Sequence, residues 1–138
     1  MKKVLAMLAA ITVAMSLNAN DVYAANNDDI VAPAYSYTKS CTSDLSISGS
    51  TAICESQAIG YYGTTTKINI LQILQKKSSS GRWNPVDNWQ ETDLGYNGYA
   101  LNTESGLTSG TYRLHTIFTV YTDDDHECFS KFSSEITI

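Results

Sequence analysis

The chain has 138 residues, of which 17% are charged, and a formal net charge of −5. That acidic balance, with no stripe of Lys and Arg, repels nucleic acid and anionic membrane surfaces and excludes both as expected partners. Three cysteines and nine tyrosines are its most distinctive counts.

Residues 1–24 read as a secretory signal peptide. A basic "MKK" start precedes the apolar run "VLAMLAAITVAMSL", and "NANDVYA" ends in Val22-Tyr23-Ala24, which fits the small-x-small cleavage rule. The apolar run is too short for a good membrane span. No cysteine follows it to carry a lipid, and no second long apolar segment appears. The mature protein is therefore expected to be secreted, with no membrane insertion after cleavage. Cleavage removes Lys2, Lys3 and Asp21, leaving 7 basic and 13 acidic side chains and a formal charge of −6.

Residues 25–34, "ANNDDIVAPA", are polar, acidic and proline-containing, and read as a flexible leader. Residues 35–138 then form one domain, since a mature chain of about 114 residues suffices for one domain that buries ~65% of its unfolded surface. No segment carries a helical period. Short runs rich in Thr, Ser, Tyr, Ile and Val, separated by turn signals, predict an all-β sandwich.

The first hairpin is "DLSISGSTAICES", with its turn at Gly49-Ser50. Period-2 alternation sets Leu45 opposite Cys54 and Ile47 opposite Ala52, pointing Cys54 to the core. "GYYGTTT" (60–66) is a loop. "KINILQILQKK" (67–77) is a long strand. Ile68, Ile70 and Leu74 lie on one side and Leu71 and Ile73 on the other, so both faces should be partly covered. "WNPVDNWQE" is a shorter strand that Pro85 marks as an edge or a bulge. "GYALNTE" follows. In "GLTSGTYRLHTIFTVY", Tyr112, Leu114, Thr116, Phe118 and Val120 alternate with Arg113, His115, Ile117, Thr119 and Tyr121, the clearest strand in the chain. "CFSKFSSEITI" closes the sheet with Phe132, Ile136 and Ile138 in phase. About seven strands result.

Leu107-x-x-Gly110-Thr111-Tyr112-x-Leu114 resembles the corner leading into the sixth strand of fibronectin type III and immunoglobulin-like domains. There a tyrosine near the strand start ties its hydroxyl back to upstream backbone. Over roughly residues 41–138, "SCTSDLSISGSTAICES", "TTKINILQILQKKSSSGRWNPVDNW" and "SGTYRLHTIFTVY" resemble a family of small secreted bacterial immunoglobulin-like proteins of unknown function. The resemblance implies an immunoglobulin/fibronectin III-like antiparallel β-sandwich and supplies no catalytic residue. The acidic "DDDHEC" loop departs from the Ser/Gly-rich loops of that group.

An exported chain permits a disulfide, and an odd number of cysteines leaves one over. Parallel first and last strands would let Cys41 meet Cys128. Simple register sets Cys41 opposite residue 58, about 13 Å along from Cys54 at 3.3 Å per residue. The resemblance instead places two cysteines in the first two strands, which favours Cys41–Cys54 slightly over Cys41–Cys128.

"TVYTDDDHECFS" (119–130) is the most chemically suggestive stretch. Calcium loops alternate their ligands and include a glycine at the bend; here Asp123, Asp124 and Asp125 are contiguous and no glycine follows. Zinc would need two ligands beyond His126 and Cys128. The expectation is a strand ending at "TVY", an acidic turn "TDDDHE" and a strand starting at "CFS", without metal or other cofactor. Catalysis is not expected. No serine lies in G-x-S-x-G, and the acidic run around Cys128 works against a reactive thiolate. Glu91, Asp93 and Glu104 lack the cleft that glycoside hydrolysis requires.

Tyr and Trp are apolar at the face and polar at the tip, and so make binding platforms. Trp89 and Tyr112 are expected in the core, and Tyr61-Tyr62, in a Gly-flanked loop, is the pair most expected to be exposed. The candidate binding surface is Tyr61, Tyr62, Trp83, Asp123, Asp124 and Asp125. The expected function is a secreted, non-catalytic interaction or accessory domain that binds an extracellular protein or cell surface through its loops. The alternative is a carbohydrate-binding module that holds a glycan on exposed Tyr and Trp.

Overall fold

The computed structural model describes residues 35–138, so the signal-peptide and leader assignments lie outside the described residues. Eight antiparallel strands follow in chain order: β1 (Thr38–Ser48), β2 (Thr51–Gly60), β3 (Lys67–Lys77), β4 (Trp83–Leu94), β5 (Asn97–Glu104), β6 (Thr111–Tyr121), β7 (His126–Phe132) and β8 (Ile136–Thr137). No helix occurs among the described residues. One sheet has the order β1-β2-β5; the other has the order β4-β3-β6-β7, with β8 also pairing β6. The fold is an antiparallel β-sandwich. The fourth strand stays beside the third, whereas in the seven-strand immunoglobulin constant arrangement it joins the fifth.

The β1–β2 register follows from the alternation and its turn. Gly49 takes φ 61°, a conformation that costs glycine little. Leu45 faces Cys54, Ile47 faces Ala52 and Cys41 faces Ala58. The corner before β6 is also formed: the Tyr112 hydroxyl donates to the Thr108 carbonyl at 2.6 Å, and the Tyr112 ring is buried.

β4 is 12 residues long, longer than the reading of "WNPVDNWQE" implied. It is the edge of its sheet, and the register with β3 slips between Leu74 and Gln75, beside Pro85. Both outcomes are what a missing N–H donor demands. The closing strand differs from expectation. β7 begins at His126 and breaks after Phe132, leaving β8 as a separate two-residue strand. Phe132 and Ile138 are exposed. Phe129 packs inward instead, against Phe118 at 5.5 Å between ring centroids.

The interior has two apolar clusters. Ala58, Ile68, Ile70, Ala100, Phe118 and Val120 form one, and Ala52, Cys54, Leu74, Tyr112 and Leu114 form the other. Trp89 is only partly buried, at the margin of the second. Between them runs a polar belt in the same inward phase. Asn102 donates to Gln72 at 2.8 Å, Gln72 donates to Ser56 at 2.8 Å, Ser56 bonds Thr116 at 2.8 Å, and Thr116 bonds Ser43 at 2.7 Å. Five strands meet in this chain of bonds. Because each buried group has a partner, the belt ties the sheets together without the cost of orphaned polar atoms.

The outer face of the larger sheet is also covered in part. Ile73 and His115 are buried there. The Arg113 guanidinium lies 4.2 Å from both the Trp83 and Phe132 ring centroids, and its Nε donates to Gln75 at 2.8 Å. His115 stacks on Phe132 at 4.3 Å. This ladder of rings and cations shields β3 and β6 on their outward side.

Candidate functional site

Strand pairing brings distant loops to one end of the sandwich. Lys67 pairs with both Leu94 and Tyr121, Ile59 with Asn97, Thr38 with Gly60, and Tyr121 with His126. The 61–66 loop, the Gly95-Tyr96 turn, the 122–125 loop and the start of β1 therefore share that end. Tyr61, Tyr62, Asp123, Asp124 and Asp125 are brought together there. Trp83 is not: it pairs with Lys77 at the opposite end, where Arg113 lies over its ring. One binding surface containing both Tyr61 and Trp83 is ruled out by this topology.

Tyr62 projects because of its turn. Thr64 N–H donates to the Tyr61 carbonyl at 3.1 Å. Gly63, third in that turn, has φ 79°, the positive value a type II turn requires at that position. Tyr62 occupies the projecting corner. It is 85% exposed, against 44% for Tyr61, 36% for Tyr96 and 84% for Leu94. The Tyr62 and Tyr96 rings meet edge to face, 5.4 Å apart at 90°, the favoured geometry for an aromatic pair.

The turn is held from beneath. The Thr65 hydroxyl accepts the Tyr61 N–H at 3.1 Å and donates to the Tyr37 carbonyl at 2.9 Å. Gly60 N–H donates to the Tyr96 carbonyl and Gly95 N–H to the Thr66 carbonyl, both at 2.7 Å. A side chain at Gly60 would collide with Thr65. These bonds present the exposed rings from a fixed scaffold.

The acidic stretch divides into two parts. Glu127 accepts the Ser36 N–H at 2.8 Å, the Tyr37 N–H at 2.9 Å and the Thr38 hydroxyl at 2.7 Å. Asp125 accepts the Tyr37 hydroxyl at 2.7 Å and the His126 N–H at 2.8 Å. The Tyr37 hydroxyl and then the His126 N–H hold Asp125 below the usual carboxylate range, while the same bond to Asp125 raises the Tyr37 phenol. Tyr35 stacks on Phe129 at 4.1 Å. These two acids therefore fasten the start of the domain to β7. Asp123 and Asp124 remain exposed at the loop tip. The turn is 122–125, closed by Thr122 N–H to the Asp125 carbonyl at 2.8 Å; the next strand starts at His126, two residues earlier than "CFS". Among the described residues no group of three or more His, Cys, Asp or Glu is placed to hold a metal ion.

The expected disulfide is not formed. Cys41, Cys54 and Cys128 are all free. Cys41 pairs with Ala58 while Cys54 pairs with Leu45, so the preferred Cys41–Cys54 bridge is four residues out of register, beyond disulfide reach. Cys128 lies on the outward phase of β7, beside Thr119 at 3.7 Å, whereas neighbouring Phe129 points inward. Cys41 packs against the inward cluster, so the sheet separates it from Cys128. Burial first, then Glu104 and Asp87, pushes the Cys54 thiol up to about 12. Burial likewise raises Cys41.

Glu91, Asp93 and Glu104 do not converge. Asp93 accepts the Tyr99 N–H at 2.8 Å. Glu104, hydrogen-bonded to Asp87 and repelled by its charge, is held above the usual carboxylate range. Tyr96 is one of the aromatics whose type suits a binding platform, but the sequence does not show its meeting with Tyr62. Sequence reasoning missed Leu94 as a member of the exposed end and Glu127 as its clasp. Gly95 between two strand patterns signals that Leu94 and Tyr96 flank a turn; only the topology shows which other loops they join.

No family model and no curated protein matches the chain. Among solved structures, the solution structure of R. palustris CsgH superposes with a TM-score of 0.40 and 7% identity, over 65% of this chain and 87% of that one.

Proposed function

We propose that the protein is an exported, non-catalytic interaction domain that binds an extracellular protein through the end bearing Tyr62. The observation that carries the reading is the preorganised cluster of Tyr62, Tyr96 and Leu94, exposed together on bonded turns. Exposed apolar residues grouped on a rigid scaffold mark interaction sites, and tyrosines contribute contact area at low entropic cost. Asp123 and Asp124 beside them favour a partner with basic groups. The placement outside the cell rests on residues 1–24.

A protein fits this surface better than a glycan. A sugar ring stacks on an open, flat aromatic face, and perpendicular Tyr62 and Tyr96 rings offer no shared plane. The test is capture of a partner from the exterior of producing cells by the wild-type chain and by Tyr62→Ala/Tyr96→Ala, beside a glycan array. Retention of a protein by the wild type alone is the expected result. Glycan binding lost in the variant would move the assignment to a carbohydrate module.

A further inference from the structure

The two ends of the sandwich differ in charge as well as in shape. Asp93, Asp123, Asp124, Asp125 and Glu127 gather at the Tyr62 end, where Lys39 and Lys67 are the basic residues and Lys67 is stacked 4.0 Å from the Tyr121 ring centroid. The opposite end, where β3 turns into β4 and β6 begins, holds Lys76, Lys77, Arg82 and Arg113, four of the seven basic residues outside positions 1–24. Three acids share that half: Glu135 lies 3.8 Å from Lys77, both side chains solvent-exposed, and Asp87 and Glu104 face each other nearer the middle. Lys76 is tied to Thr108 at 2.6 Å, which leaves Lys77 and Arg82 as the outward cations.

That second end carries an open groove of about 400 Å³ lined by residues 76–79 and 84–86, with Ser78, Ser79 and Asn84 as its polar part and Pro85 and Val86 as its apolar part. Val86 is exposed, and the Lys77 ammonium lies 5.4 Å from the Trp83 ring centroid. The groove has an apolar wall, cationic margins and room for one tyrosyl ring. Tyr62 stands at a turn corner, 85% exposed, with Asp123 and Asp124 on another loop of the same end, so it offers one ring flanked by acids.

We infer that a second copy of this chain docks head to tail, Tyr62 of one molecule entering the Lys77–Val86 groove of the next. Asp123 and Asp124 then lie against Lys77 and Arg82. The inference rests on the proposed role of the Tyr62 end and names one occupant for it. Such a contact joins two different patches, so it does not close on itself as a two-fold dimer does; it continues as an open chain. Its ion pairs are exposed, so added salt weakens it.

Sedimentation velocity of the purified protein, expressed from its full-length sequence, tests this. At low salt the weight-average mass should climb with concentration past that of a dimer, and salt near ~0.5 M should reverse it. Two variants make the test specific. Tyr62→Ala/Asp123→Asn/Asp124→Asn blocks the front, and Lys77→Ala/Arg82→Ala blocks the back. Each alone should remain monomeric, and an equimolar mixture should form dimers and nothing larger. None of the five side chains is buried, and an unchanged far-UV spectrum verifies the fold. A wild type that stays monomeric at every concentration overturns the inference, as does self-association that either variant retains or a mixture that forms no dimer. Capture of a foreign protein by the wild type but not by Tyr62→Ala/Tyr96→Ala would still uphold the broader reading in that event.

Discussion

Glu127 holds Tyr37 by its backbone: the carboxylate at the start of β7 accepts the Tyr37 N–H at 2.9 Å, across 90 positions of sequence. The same carboxylate takes the Ser36 N–H and the Thr38 hydroxyl. The most chemically suggestive stretch of the chain therefore uses Glu127, together with Asp125 on the Tyr37 hydroxyl, as a clasp. The exposed Asp123 and Asp124 are left for contact with other molecules.

Glu127→Gln should loosen that clasp. The amide keeps one accepting oxygen and turns an NH2 group toward backbone donors. Hydrogen bonds to a charged acceptor contribute about 1.5–3 kcal/mol each, less where solvent reaches them, so a total loss of about 1–3 kcal/mol is expected. Chemical denaturation measures the total. Amide exchange should show protection lost at Tyr37 and retained in β3 and β6; unchanged exchange at Tyr37 would show that the clasp contributes nothing.

Thr116→Val tests the polar belt. The substitution is nearly isosteric but deletes the hydroxyl that joins Ser43 to Ser56. Leaving buried hydroxyls without a partner costs about 1–3 kcal/mol. An equally stable Thr116→Val protein would mean that the belt is replaceable by apolar packing.

His115 carries the part of the pH dependence that lies between about pH 6.5 and pH 4. It is 6% exposed, its Nε2 has no hydrogen-bond partner, and burial, then the charge of Arg113, lowers it to about 4. Above about pH 6.5 the imidazole is neutral in both the folded and the unfolded chain, and it contributes no slope. As pH falls below that, the unfolded chain takes up a proton that the folded chain refuses, so stability declines until about pH 4 and then levels off. The decline should be on the order of 2–3 kcal/mol. His115→Phe, which can keep the stack on Phe132, should remove this component. Denaturation of both proteins at pH 7 and pH 4 gives the difference; a gap between them that does not change with pH would contradict the assignment.

Glu104→Gln should stabilise the protein at neutral pH, because Asp87 beside it holds the Glu104 carboxyl above its usual range. The elevation means that the charged pair is unfavourable when both acids are ionised. The thermal midpoint of the variant should exceed the wild type at pH 7, and the gain should shrink as the pH falls through the carboxyl range. A midpoint lowered at pH 7 would assign the shared hydrogen bond a net stabilising role.

Much of the fold is legible in the sequence because strand patterns repeat every second residue. Gly49-Ser50 sets the turn, and Leu45 then has to face Cys54. Tyr112 announces its corner from four residues away. What stayed hidden was of two kinds. Ser43, Ser56, Gln72 and Thr116 lie in the inward phase, yet each reads singly as a surface residue; only their meeting makes them buried partners. Phe129 and Phe132 are an odd number of residues apart, so only one can face inward, and the phase that Phe132 shares with Ile136 and Ile138 pointed to the wrong one. The break between β7 and β8 is what that pattern could not show. The candidate site was half legible for a similar reason. Tyr61-Tyr62 and the aspartates were found in their own loops. Their meeting with Tyr96, and their separation from Trp83, follow from the strand order. The Cys41–Cys54 pairing that the resemblance implies runs against the register, which sets Cys41 opposite Ala58.

The Tyr62 end is the surface proposed to meet a partner. Site-specific photo-crosslinking in producing cells measures this most directly. Benzoylphenylalanine would replace Tyr62 in one protein and Thr42, exposed on β1, in another. The account predicts a discrete cross-linked protein species from position 62 and none from position 42. Equal adducts from both positions, or none from position 62, would contradict it.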